Sequence, residues 1–167
     1  MNQSTLNSTQ HHPYKGNSLK IAVVSSCWHR AIVEKAINAM SSHFENEGFS
    51  NDDLSFFEVP GAFELPLHVK ILANTGKFDA IIACGFVVNG GIYRHDFVAS
   101  AVIDGLMQVQ LTSDVPVFSA VLTPHSFHDH SDHIDFFANH FTKKGAEVAQ
   151  ACIQTIASLR SVTQSCV

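Results

Sequence analysis

The chain has 167 residues, 46% of them hydrophobic, with a net charge of −5 and an isoelectric point near 6.1. That length suits one domain with one real core, and the acidic balance argues against nucleic acid as a partner. No apolar run approaches the ~20 residues of a membrane span, and residues 1–18 are polar with no secretory signal. The expected layout is therefore a mobile arm (1–18), one α/β domain (19–160) and a C-terminal tail (161–167), in a cytoplasmic protein.

Strand and helix patterns alternate along the chain. Residues 19–25 form a short apolar run, read as a first strand. Over 29–48, Val33, Ile37, Met40 and Phe44 recur at helical spacing and Gly48 suits a helix stop. Residues 54–59 read as a second strand, and Pro60-Gly61 as a turn. Residues 62–73 have a helical pattern that places Pro66 in a first turn. Residues 80–88 are the third strand, and 97–111 a helix with Val98, Val102, Gly105 and Val109 on one face. Residues 116–122 are the fourth strand. Ser126 and Asp129 suggest a capped short helix reaching about Asn139, followed by a separate helix over 143–160. Strands alternating with helices predict a mainly parallel sheet covered on both faces. The four cysteines, Cys27, Cys84, Cys152 and Cys166, have no paired spacing, so they are expected as small apolar residues rather than as a zinc site or disulfides.

The chemistry concentrates at strand ends. The third strand runs through Gly85-Phe86-Val87-Val88-Asn89 into Gly90-Gly91, then Arg94-His95-Asp96. Glycines before a helix start can turn backbone N–H groups towards an anion. Strand one ends at Cys27-Trp28-His29-Arg30, and strand two at Pro60-Gly61-Ala62-Phe63-Glu64. In a parallel sheet these ends share one rim, where ligands bind. Trp28, the only tryptophan, is open to two readings there: a platform for a flat heterocycle, or a packing anchor. Glu64 has a plainer role available, favourable charge at a helix N-terminus.

The segment Pro60-Gly61-Ala62-Phe63-Glu64-Leu65-Pro66, combined with Gly85-Phe86-Val87-Val88, closely resembles the lumazine synthase family, and the resemblance runs over about residues 19–159. It implies a flavodoxin-like three-layer fold: a four-stranded parallel sheet with helices on both faces. It also implies a reaction in riboflavin biosynthesis, the condensation of a ribitylaminouracil with a dihydroxybutanone phosphate. Phosphate and water are released, and neither metal nor cofactor is called for. By the same resemblance, Trp28 would lie against the pyrimidine, and Ala62, Phe63 and Glu64 would bind the ribityl chain and ring. Phe86, Val87 and Val88 would bracket the ring through backbone groups, and Gly90 and Gly91 would face the phosphate. Ser119, expected at the end of strand four, would come from a neighbouring subunit. The run from Gly90 to Phe97 resembles the second, decamer-forming branch, so a pentamer or a dimer of pentamers is implied. The commoner branch carries its catalytic histidine where Arg94 stands. Arg94 thus takes the family's catalytic position as an electrostatic clamp, with His95 beside it as a possible proton carrier.

No lysine or arginine lies between Arg94 and Lys143, where the common branch holds phosphate with an arginine. Counting from Pro116 puts His133 at that place, and counting back from Lys144 puts Phe136 there. A phenylalanine cannot bind phosphate, so His133 is preferred, with His128 second. His125, His128, His130 and His133 also invite a metal reading, against which stands a solvated polar loop. Two other function classes fit the same residues: a non-catalytic flavin or lumazine carrier, and a scaffolding shell using some of the thirteen phenylalanines, Phe136, Phe137 and Phe141 among them, at interfaces.

Overall fold

A computed structural model describes residues 19–90 and 94–165. Four strands, β1 (Ile21–Ser26), β2 (Leu54–Val59), β3 (Ala80–Phe86) and β4 (Val117–Leu122), form one parallel sheet in the order β2-β1-β3-β4. The central strands β1 and β3 are buried along their whole length, whereas β2 and β4 at the edges are only partly covered. Continuous apolar runs suit the middle of a sheet buried on both faces. Helices α1 (Arg30–Asn46) and α4 (Ser131–Ser165) cover one face around Val23, Ile82, Met40, Phe44 and Phe141. Helices α2 (Leu65–Ala73) and α3 (His95–Ser113) cover the other around Val24, Ile81, Leu65, Val69 and Val102. This is the three-layer α/β sandwich expected.

Local chemistry explains several boundaries. At the end of α1 the Phe49 N–H donates to the Phe44 carbonyl and the Gly48 N–H to that of Glu45, with Gly48 at φ +88°. This is a Schellman stop, sealed by the edge-on Phe44 and Phe49 rings 5.1 Å apart. Pro66 does sit in the first turn of α2, where its missing N–H costs nothing. Cys84 and Cys152 are fully buried, and desolvation pushes both thiols up to about 12, so they behave as inert core residues.

The C-terminal third differs from expectation. No short capped helix ends near Asn139; one helix of 35 residues runs from Ser131 to Ser165. Its apolar stripe, Ile134, Phe137, Phe141, Gly145, Val148, Cys152 and Ile156, is unbroken and faces the same core throughout. Gly145, which looks like an interruption, lies where α4 meets α1, and a Cβ there would collide with the Ala36 carbonyl. Two smaller shifts concern the rim: β3 stops at Phe86 rather than Val88, and α3 begins at His95 rather than Phe97.

Candidate active site

The sheet order reverses between β1 and β3, and the segments leaving β1, β2 and β3 meet at that switch point. The Cys27 N–H donates to the Val59 carbonyl at 2.9 Å and the Trp28 N–H to that of Pro60 at 3.2 Å, tying the β1 exit to the β2 exit. Trp28 is 63% exposed, so it is not a core anchor in this chain. Its indole lies on Gly61: a Cβ on Gly61 would come within 2.8 Å of Trp28 Cζ3. Glu64 Oε2 accepts the Gly61 N–H at 2.9 Å, the plain capping role, while the residue stays exposed. Ala62 is buried beneath the turn, and Phe63 is exposed. Phe63 and Glu64 line an open groove with Pro60, Leu67, His68 and Ile71. Phe63 and Glu64 thus edge a shallow, largely apolar recess, and the Trp28 indole packed on Gly61 stands at the adjoining turn.

The β3 exit forms the adjacent wall. Phe86 is a core residue, packed edge-on against His29, Phe127 and Phe141 at 5.2–5.4 Å. The Val87 N–H is taken by the Leu122 carbonyl at 2.9 Å, and Val88 packs on the core. Gly90 is exposed, has open space where a Cβ would be and is not in the left-handed region, so its own geometry does not demand glycine. Gly91 lies outside the described residues. Ser26, at the foot of this wall, is 2% exposed, and its hydroxyl is the one buried side-chain polar atom without a partner among the described residues. Gly85 makes room for it.

Other expected residues lie apart from this recess or are engaged elsewhere. Arg94 is exposed and turned onto its own helix. Nε reaches Asp96 Oδ1 at 3.2 Å and Nη2 reaches Oδ2 at 2.8 Å, with the guanidinium 4.2 Å from the Phe97 ring centroid. The Asp96 carboxylate raises the Arg94 pKa further, so the cation is permanent. His95 is half-buried in the first turn of α3. Ser119 is not at the end of β4 but in its middle, paired in register with Ala83 and exposed on the edge strand. The strand runs on through Ala120, Val121 and Leu122, which pair with β3 up to Phe86. His133 lies in the first turn of α4, its Nδ1 accepting the His128 N–H at 3.3 Å, which leaves Nε2 as its outward donor. Among the described residues, no group of three or more His, Cys, Asp or Glu is placed so that it could hold a metal ion.

Two residues at the rim escaped the sequence reading. Asn89 Oδ1 accepts the Phe127 N–H at 2.9 Å, pinning the β4–α4 loop to the β3 exit. His29 adopts a left-handed backbone, φ +56° and ψ +39°, with no side-chain cap to justify it. The signals for both were slight: a polar residue between Val88 and Gly90, and a histidine directly after the only tryptophan.

The family model described as 6,7-dimethyl-8-ribityllumazine synthase matches residues 18–160. The chain belongs to the lumazine synthase family. A lumazine synthase from Rhodococcus erythropolis is 56% identical over 146 residues, covering 87% of this chain and 94% of that protein. Relatives named 6,7-dimethyl-8-ribityllumazine synthase 2 are similar as well. That of Bradyrhizobium diazoefficiens is 52% identical, covering 89% of this chain and 88% of its own. That of Pseudomonas syringae pv. tomato is 48% identical, covering 86% and 84%. The matched span of the lumazine synthase model takes in all four strands, and so every segment that builds the rim.

Proposed function

We propose that the rim of Trp28, Gly61–Glu64 and Phe86–Gly90 is where this chain performs the reaction of its family. The chain is a transferase of riboflavin biosynthesis. It condenses 5-amino-6-(D-ribitylamino)uracil with 3,4-dihydroxy-2-butanone 4-phosphate to 6,7-dimethyl-8-ribityllumazine, releasing phosphate and water. The observation that carries this is the 56% identity over 146 residues, beside a family match over residues 18–160 that spans the Gly61–Glu64 turn and the β3 exit.

In this reading the exposed indole of Trp28, resting on Gly61, stacks on the pyrimidine, and the Glu64 carboxylate accepts hydrogen bonds from ribityl hydroxyls beside Ala62 and Phe63. Backbone groups at Phe86, Val87 and Val88 edge the ring, and Gly90 and Gly91 lie beside the phosphate. Arg94 stabilises the leaving phosphate: two of its five N–H donors are on Asp96, which leaves three for an anion. His95 carries a proton. Ser119 and His133 serve the site of the next subunit, which accords with Ser119 standing exposed on an edge strand, away from its own rim. The working unit is a homo-oligomer, a pentamer or a dimer of pentamers, in the cytoplasm. No helix among the described residues is long and apolar enough to cross a membrane.

The test mixes the purified protein with both substrates and follows the lumazine chromophore. Steady product formation is expected. Binding without turnover would replace the enzyme reading with a carrier.

A further inference from the structure

We infer that His29 is a positioning residue that joins the tryptophan side of the recess to the β4–α4 loop. The inference rests on the active-site reading above. It starts from a residue in an unfavourable backbone state. A left-handed conformation is unfavourable for a non-glycine residue, and glycine would hold the same turn without that cost. No side-chain hydrogen bond caps α1 from this position, so capping does not account for a histidine. The imidazole does make specific contacts. It stands edge-on to Phe86 at 5.4 Å and to Phe127 at 5.5 Å, and those two rings are edge-on to each other at 5.2 Å. The three rings thus form a closed triangle over the end of β3.

Each corner of that triangle belongs to a different element of the rim. His29 follows Trp28 directly, so its backbone turn sets how the indole leaves β1 and meets Gly61. Phe86 begins the β3 exit. Phe127 is buried in the loop that also holds His128 against His133, and its own N–H is fixed by Asn89. Backbone bonds join the β1 exit to the β2 exit, and Asn89 joins the β3 exit to the loop. His29 is a side chain that bridges the two pairs. Strain at one residue, repaid by contacts that orient two binding elements, is the pattern found at functional sites.

The test compares His29→Asn, which tolerates the left-handed backbone but lacks the ring, with Phe127→Leu and the double variant. Both single variants should raise KM for the aminopyrimidine by about 3–10-fold, the size of a lost edge-to-face ring pair, with kcat little changed. The double variant should be no worse than the poorer single one, because both remove the same bridge. An activity-independent readout comes from Trp28, the only tryptophan: in His29→Asn its emission should become more accessible to acrylamide. If His29→Asn fails to assemble, His29→Gly provides the same comparison. Unchanged KM and unchanged Trp28 quenching in His29→Asn would overturn the assignment, as would fully additive effects. Wild-type protein that makes no lumazine would instead reject the active-site reading, while the quenching comparison still tests the bridge.

Discussion

At the scale of single residues, Arg94 poses the sharpest chemical question. A guanidinium held by Asp96 and stacked on Phe97 is a fixed positive charge and a poor proton shuttle. Arg94→Lys should therefore retain part of the rate, because charge survives while the paired donors are lost. Asp96→Asn should free the guanidinium, tightening phosphate capture but loosening its aim. Steady-state kinetics with the phosphate substrate checks both. Wild-type turnover in Arg94→Ala together with an inactive His95→Ala would move the catalytic role to His95. The residues on this rim differ in how legible they are from sequence. Trp28 and the 60–66 segment stand out in the sequence because their chemistry is local: a lone tryptophan, a turn pair, an acid at a helix start. His29 and Asn89 do not, because their meaning comes from Phe86 and Phe127, which only the folded sheet brings near. Ser119 was placed on the correct strand, but which residue ends that strand is decided by pairing with β3.

At the scale of elements, alternation of strands and helices carried the fold, since short continuous apolar runs and period-3.6 apolar patterns fall on separate stretches. Strand β2 matched its expected bounds, and the others shifted by a residue or two at one end or, for β1, at both. The exception was α4, where a short helix to about Asn139 and a separate one over 143–160 are expected and one continuous helix is found. Gly145 is there for proximity rather than flexibility: it lets α4 rest on the Ala36 backbone of α1. Gly145→Ala should accordingly destabilise the chain, against the usual gain of up to about 1 kcal/mol from glycine to alanine in a helix. A loss of about 1–3 kcal/mol is expected, the cost of an overpacked contact, measured by urea unfolding. A gain in stability would mean that α1 and α4 separate easily, and the single continuous helix would lose its explanation.

At the scale of the whole molecule, acid stability and assembly follow from the same surfaces. Packing against Phe86 and Phe127 lowers the pKa of His29 below its ordinary 6.5, although Asp129 pulls the other way. The unfolded chain then binds a proton at this position before the folded chain does, so stability is complete above pH 6.5 and declines as pH falls below it. Asp53, held below its ordinary 3.8 by Ser50 and Lys20, loses its contribution only at more acidic pH, which separates the two windows. His29→Asn should flatten the fall in melting temperature between pH 7 and 5. An unchanged slope would assign that loss to other histidines. The assembly proposed above has a candidate face in the layer formed by α2 and α3. Leu67 and Ile71 on α2, and Ile103, Met107 and Leu111 on α3, all point outward, each set at four-residue spacing. Two adjacent apolar stripes of this kind make a patch of the sort that monomers seldom expose. Phe63, at the edge of the recess, continues the α2 stripe, so a neighbour seated on this face would also close the site. Sedimentation should show five or ten copies of the 18.2 kDa chain. Met107→Lys combined with Leu111→Lys should shift it towards single chains, and lumazine formation should fall in parallel, because on the proposed reading a lone chain keeps Trp28 and Arg94 without a neighbour's Ser119 and His133. A monomeric double variant with full activity would show that each chain holds a complete site, and the assignment of Ser119 and His133 to the next subunit would fail with it.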